Sequence, residues 1–207
     1  MNCKTLFALI ATLCAGSAMA AGQGWYAGVA AGQAQTHFTG QEQLGYGADG
    51  KVYDYSAAQK VYAGYGINQT FSAELSLFNL GHSRFSGTVL GAPAQDRFGA
   101  KGLSLAGVAT LPLNDKLALF GKLGAAAVTT NYTCVVACDP LHNNDHHGIY
   151  ANYGVGARYA LTPALSARVE YERFDGMKYE TGIGASNWRG HFRSDTDFLS
   201  LGLQYGF

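Results

Sequence analysis

From Trp25 to the last residue, apolar side chains return at every second position in a series of separate stretches. The clearest lies between Tyr150 and Phe174. Tyr153, Val155, Ala157, Tyr159 and Leu161 alternate with Asn152, Gly154, Gly156, Arg158 and Ala160. After a turn at Leu161 to Ala164, Leu165, Ala167, Val169 and Tyr171 alternate with Ser166, Arg168, Glu170 and Glu172. A period of two puts each set on its own face of a strand, so this stretch predicts a hairpin with one wholly apolar face. The same pattern predicts strands over Trp25–Gln33, Lys60–Ile67, Phe71–Phe78, Gly102–Leu111, Leu117–Ala127 and Phe198–Phe207. The fifth of these is rich in Ala and Leu, but its glycines and its regular alternation favour a strand over a helix. Eight strands result.

The connections between them alternate in length. Residues 34–55, 79–100, 129–148 and 175–197 are predicted as long loops, whereas 68–70, 112–116 and 161–164 are short turns. In an even-stranded up-and-down sheet all the long loops then fall at one end, the layout of an outer-membrane barrel. Charge follows the same parity. The apolar faces carry none, while Lys60, Glu74, Lys122, Arg158, Arg168, Glu170 and Glu172 all fall on the opposite faces, among glycines and alanines. A soluble sandwich would turn that charged face to water. A membrane barrel turns it inward, where small residues suit the narrow lumen of eight strands. An outward charge would cost roughly 2–4 kcal/mol at the bilayer midplane. Outward aromatics near the short turns (Trp25, Tyr65, Phe71, Tyr159, Tyr205 and Phe207) make a candidate interface girdle. The predicted fold class is therefore all-β: an eight-stranded antiparallel up-and-down transmembrane β-barrel.

Composition agrees. The 207 residues include 28 glycines, with 13% aromatic and only 14% charged residues. The formal net charge is zero, which removes any bulk-electrostatic argument for nucleic acid or an acidic substrate. The N-terminus reads as a secretory signal peptide, residues 1–20: Lys4, an apolar Leu6–Leu13 region and a small-x-small site at Ala18-Met19-Ala20, cut after Ala20. The barrel domain then covers 21–207, with no periplasmic peptidoglycan-binding domain expected. The route is export through the periplasm to the bacterial outer membrane.

Candidate chemistry is sparse. Cys3 and Cys14 leave with the signal peptide, and Cys134 and Cys138, in an outer loop of an oxidising compartment, are expected to form a disulfide. His142, Asp145, His146 and His147 match no closed metal-ligand spacing and read as a solvated loop, so neither metal nor other cofactor is expected. Ser83 stands beside His82, and Ser194 near His191 and Asp195, but proximity in sequence does not align a nucleophile, base and orienting acid. The chain is not expected to be an enzyme.

Five pieces carry a resemblance: GWYAGVAAG (24–32), VYAGYGINQTFSAELSLFNLG (61–81), ATLPLNDKLALFGKLGA (109–125), YGVGARYALTPALSARVEYE (153–172) and FLSLGLQYGF (198–207). In their order and spacing the chain resembles the OmpA-like transmembrane domain family from Gly24 to Phe207, loops apart. The resemblance implies an eight-stranded outer-membrane barrel that supports envelope integrity, with weak passage of small solutes or ions as an expected property. It implies a lumen charge network at Glu74, Lys122, Arg158, Arg168 and Glu170. Ala30 and Val108 stand where the family carries lumen lysines, and Arg158 where it carries an acid. The terminal Phe207 resembles the signal read by the barrel-assembly machinery. Implied partners are outer-membrane lipid and lipopolysaccharide. The alternative is a surface-binding barrel whose four outer loops meet host-surface or serum proteins, with Phe85, Phe98, Trp188 and Phe192 as candidate contacts. Long, aromatic, extended strands in those loops would favour that alternative, and none is expected.

Overall fold

The computed structural model describes residues 23–37, 48–89, 91–136, 144–183 and 188–207. The signal peptide and Cys138 lie outside them. Nine strand segments occur in chain order: β1 (Gly24–Thr36), β2 (Ala48–Tyr53), β3 (Tyr55–Gly66), β4 (Phe71–Val89), β5 (Ala92–Pro112), β6 (Leu117–Val136), β7 (Asn144–Ala160), β8 (Leu165–Ile183) and β9 (Trp188–Gly206). β2 and β3 both pair with β4 and are one stave interrupted at Asp54, so eight staves form the wall. Each sequence neighbour pairs antiparallel, and β1 pairs with β9, which closes the barrel. Closure matters in lipid, because it pairs the backbone N–H and C=O groups of the lipid-facing band around the barrel and leaves that band no sheet edge.

The three short turns share one construction. Ile67, Leu113 and Leu161 each donate their backbone N–H to the carbonyl that opens the next strand, at 2.8–2.9 Å. The following side chain then caps the turn. Asn68 Oδ1 accepts from the N–H groups of Thr70 and Phe71, and Asn114 Oδ1 from those of Lys116 and Leu117. Thr162 Oγ1 accepts from Leu165. These are Asx- and Thr-stabilised turns, short because the side chain supplies what a longer loop would otherwise provide.

Over roughly ten residues of each stave, the length that crosses a bilayer, the outer face is apolar and exposed. Val29, Val61, Leu75, Leu105, Leu123, Val155 and Leu201 are 47–69% accessible. An apolar surface of that extent would be untenable in water and fits lipid. Trp25 meets Tyr65 at 5.2 Å and Tyr205 meets Phe207 at 5.3 Å between ring centroids, near the short-turn end.

The opposite end departs from expectation. The segments predicted as long loops are largely strand: β4 runs to Val89 and β5 begins at Ala92, and the two stay paired up to Val89 and Ala92. β6, β8 and β9 extend the same way. The alternation does continue there, but its phase slips. Register shifts occur between Asn79 and His82 on β4 and between Phe174 and Met177 on β8, and a third falls on β6, where Cys134 and Val136 pair with the consecutive Asp96 and Gln95 of β5. At two of them a glycine takes positive φ, Gly81 at 74° and Gly176 at 60°. A bulge adds one residue and moves every later side chain to the other face, so a strict period-two reading ends at it.

Candidate functional site

The lumen holds the residues with chemistry. In the half of the barrel nearer the short turns, Lys60 (β3), Glu74 (β4), Lys122 (β6), and Arg168, Glu170 and Glu172 (β8) all point inward and are at most 4% accessible. Alternation positions them: each sits at an inward place between two lipid-facing residues. Lys60 Nζ lies 2.7 Å from Glu170 Oε2 and 2.8 Å from Glu172 Oε2. Lys122 Nζ reaches all three carboxylates, at 2.7 Å from Glu172 and 3.3 Å from Glu74 and Glu170. The Arg168 guanidinium bridges Glu74 Oε2 at 2.6 Å and Glu170 Oε2 at 3.0 Å. Three cations therefore face three carboxylates, and each carboxylate touches at least two cations.

Neutral groups complete the layer. Tyr26 donates its hydroxyl to Glu74 at 3.2 Å, and Asn152 donates its amide to Glu172 at 2.8 Å. The Arg168 guanidinium stacks between the rings of Tyr62 and Phe120, 4.6 and 4.3 Å from their centroids. Buried charges persist only where such partners exist, because desolvation costs several kcal/mol per ion.

Glu74, Lys122, Arg168 and Glu170 thus lie together. Arg158 does not join them. It sits on the inner face, paired across β7 and β8 with Arg168 itself, and no carboxylate among the described residues forms an ion pair with it. Lys60 and Glu172 are integral instead; their inward parity was legible in the alternation.

Above this layer, toward the outer end, the lumen becomes apolar. Phe78, Phe98, Tyr132, Phe174, Met177, Tyr179 and Phe198 form one cluster, each at most 5% accessible. Phe78 packs on Phe174 at 4.6 Å, and Phe98 on Tyr132 at 5.1 Å. Lys60 Nζ lies 5.6 Å from the Phe198 ring centroid and joins the two layers. Sequence reasoning missed this core because Phe98, Tyr132, Met177 and Tyr179 fall in segments read as loops, while Phe78, Phe174 and Phe198 lie at the ends of the predicted strands, where nothing showed that they meet. Phe85 and Phe98, read there as candidate surface contacts, are 1% and 2% accessible and point into the barrel. That reading is corrected: β4 and β5 extend through both positions, and their alternation turns the two rings inward. Trp188 and Phe192 lie on β9, their side chains outside what is described.

One carboxylate is sunk in this outer core. Asp96 accepts a hydrogen bond from the Tyr132 hydroxyl at 3.0 Å. Burial pushes its carboxyl up to about 6, although that hydrogen bond opposes the rise. Burial, and then the neighbouring Asp96 charge, pushes the Tyr132 hydroxyl well above the usual tyrosine range. On the outer wall Asp195 accepts from Gly176 N–H at 2.8 Å and pairs with Arg173 at 2.6 Å. The backbone hydrogen bond, then Arg173, holds its carboxyl below the usual range.

The remaining candidates separate. Ser83 points inward and donates to the Asp54 carbonyl at 3.3 Å, while His82 faces outward beside Gly99. Ser194 donates to the His37 carbonyl at 2.6 Å. Asp145 and His147 lie on β7, against Asn131 at 2.7 Å and Thr129 at 2.9 Å. His142 lies outside the described residues, as does the Cys134 side chain; the Cys134 backbone belongs to β6.

The OmpA-like transmembrane domain matches residues 20–207. Outer membrane protein A of Serratia marcescens is 28% identical over 187 residues, which cover 88% of this chain and 49% of that protein. The chain spans about half the length of the curated relatives it matches. Among solved structures, the outer membrane protein OprG from Pseudomonas aeruginosa superposes with a TM-score of 0.57 at 12% identity, over 89% of this chain and 98% of that one. Neisserial surface protein A superposes with a TM-score of 0.52 at 14% identity, over 88% and 97%. At such identities these two likenesses concern the fold.

Proposed function

The chain belongs to the OmpA-like transmembrane domain family and is a bacterial outer-membrane β-barrel protein; on that premise we propose that it acts as a closed structural barrel contributing to envelope integrity, not as an open pore. The observation that carries this reading is the two-layer closure of the lumen. A six-charge net fills the short-turn half of the barrel, and an aromatic core seals it above. A permeating ion would have to break an ion pair and then cross an apolar layer, each step costing several kcal/mol. Weak passage, expected from the family, would need both layers to move together.

In the same reading the chain is not an enzyme. The hydroxyls of Ser83 and Ser194 are both committed to backbone carbonyls. Phe207 donates its N–H to Trp25 at 2.9 Å across the β1–β9 seam, a position suited to a residue engaged by assembly machinery as the barrel closes. A second reading, surface binding, gains from one observation: the wall continues well past the apolar band as ordered sheet. Extended strands hold outer connections away from the membrane, where a host or serum protein could meet them.

Planar-bilayer recording of the refolded barrel, beside Glu74→Ala, tests the closed reading. Folded, heat-modifiable protein should give silent bilayers. Discrete openings whose size changes with Glu74→Ala would sink the closed reading and make the charge net a gate.

A further inference from the structure

Outside the lumen, two irregularities of the wall meet at one place. Between Tyr53 and Gln59 the stave made by β2 and β3 breaks at Asp54, so residues 54–58 face 80–83 of β4 without ladder pairing. Opposite, β4 bulges at Gly81, where a Cβ would run into the Ala57 carbonyl oxygen. The Asp54 carbonyl turns toward β1, accepting from the Thr36 N–H at 3.0 Å. The result is a cavity of about 710 Å³, lined chiefly by outward-facing side chains that include Tyr53, Tyr55, His82, Arg84, Gln95 and Arg97.

The charge in that hollow is unusual. Arg84 and Arg97 stand directly opposite each other across β4 and β5. Like charges so placed destabilise a sheet. Among the described residues neither has a carboxylate within ion-pair distance. The nearby acids are engaged or distant: Asp54 accepts from Gln35 at 2.7 Å, Asp96 points into the core, and Asp49 lies further along β2 opposite Thr88. Lys101, opposite Asn79 at the upper edge of the apolar band, adds positive charge below. Two guanidiniums held together with no carboxylate in reach among the described residues imply an anion, and their planar forks match phosphate oxygens bidentately. Tyr53 and Tyr55 are 52% and 56% accessible, and such rings offer flat apolar faces with a polar tip. Gln95 and His82 add groups that can hydrogen-bond hydroxyls.

The position selects the source of the anion. The hollow opens sideways from the barrel wall, and along β4 and β5 it lies beyond the lipid-facing Leu77 and Leu103, past the polar Asn79–Lys101 rung. Whatever fills it comes from the headgroup layer of the leaflet outside the long-strand end. We propose that this hollow binds the phosphorylated sugar headgroup of a lipopolysaccharide molecule, Arg84 and Arg97 holding phosphate and Tyr53 and Tyr55 packing on the sugar. The inference rests on the outer-membrane reading and adds a site to it.

The test uses the refolded full chain in detergent and follows lipid retention by native mass spectrometry. The probes are inner-core lipopolysaccharide, the same lipid after phosphatase treatment, phosphatidylglycerol and a soluble sulfated polysaccharide. The variants are Arg84→Ala/Arg97→Ala and, as a charge-loss control at the opposite end, Lys116→Ala. The wild type should retain lipopolysaccharide, with affinity falling steeply as salt rises. The double variant should bind it at least about tenfold more weakly, the loss expected for charged hydrogen bonds. Lys116→Ala should match the wild type, and dephosphorylated lipid should be lost from every protein. Millimolar inorganic phosphate should leave retention intact, because the sugar contacts are absent from it. Equal retention by the double variant would overturn the proposal. So would undiminished binding of dephosphorylated lipid, equal binding of phosphatidylglycerol, displacement by inorganic phosphate, or arginine-dependent capture of the sulfated polysaccharide without lipopolysaccharide. Folding is scored separately by gel mobility. Failure of the wild type to fold into lipid would count against the membrane barrel itself, whereas a folded wild type that retains nothing counts against the site alone. Since the double variant removes a like-charge contact, it should fold at least as readily as the wild type.

Discussion

At the residue scale, the lumen shows how one position can hold a network together. Arg168 is bonded to Glu74 and Glu170 and stacked between Tyr62 and Phe120, so its side chain serves four neighbours at once. Arg168→Ala would leave three carboxylates facing only Lys60 and Lys122 and would open a void between two rings. Removing one member of a buried ion pair usually costs about 3–5 kcal/mol. Urea unfolding in lipid vesicles should show a loss of that order; a loss below about 1 kcal/mol, the level of an exposed pair, would mean that water reaches the layer. Placement of this arginine was legible in the sequence, since inward parity alone puts Arg168 opposite the lipid face. Its partners were only partly legible. Parity lists the charges that enter the lumen but not which of them meet: Lys60 and Glu172 join the net, while Arg158, on the same rung as Arg168, forms no ion pair with a carboxylate among the described residues.

At the scale of elements, the bulges decide how far each strand runs. Gly81 and Gly176 both adopt the left-handed backbone that glycine tolerates, but their surroundings differ. A Cβ at Gly176 would meet nothing within 4 Å, while one at Gly81 would collide with the Ala57 carbonyl and the Ser56 side chain. Gly176→Ala should therefore cost only the conformational penalty, about 1–2 kcal/mol. Gly81→Ala should cost more and loosen the contact between β3 and β4. Amide hydrogen exchange of the outer hairpin checks this: protection in β4 and β5 beyond Asn79 should fall for Gly81→Ala, and protection in β8 and β9 should fall less for Gly176→Ala. The reverse order would mean that the β3–β4 irregularity is not a close contact. These same bulges explain why 79–100 and 175–197 read as loops. Leu80 and then Ser83 and Phe85 are inward, as are Phe174 and then Met177 and Tyr179, so the pattern survives with its phase changed. A reading that allowed one phase slip at a glycine would have found both extensions.

At the scale of the whole molecule, the protein is a soluble protein turned inside out, with charge at its centre and aliphatic side chains on its wall. Leu105 stands on that wall at 61% accessibility, level with Leu75 across β4 and β5. Leu105→Arg should cost about 2–4 kcal/mol if this height is near the bilayer midplane, measured by urea titration in vesicles. In detergent, where the new charge can find water, the cost should shrink; equal costs in both media would argue that this face does not meet lipid. The sequence by itself determined the inversion, the eight staves and the end at which the short turns lie. These follow from alternation, charge parity and turn chemistry, all local and all readable along the chain. Only the tertiary structure decided that the charges form a single closed net, that an aromatic core seals the lumen above it, and that Arg84 and Arg97 face each other beside a hollow in the wall. Each depends on register between strands distant in sequence, and one bulge shifts that register by a residue. The alternation fixes which face a side chain takes, but the pairing of strands fixes what it meets there.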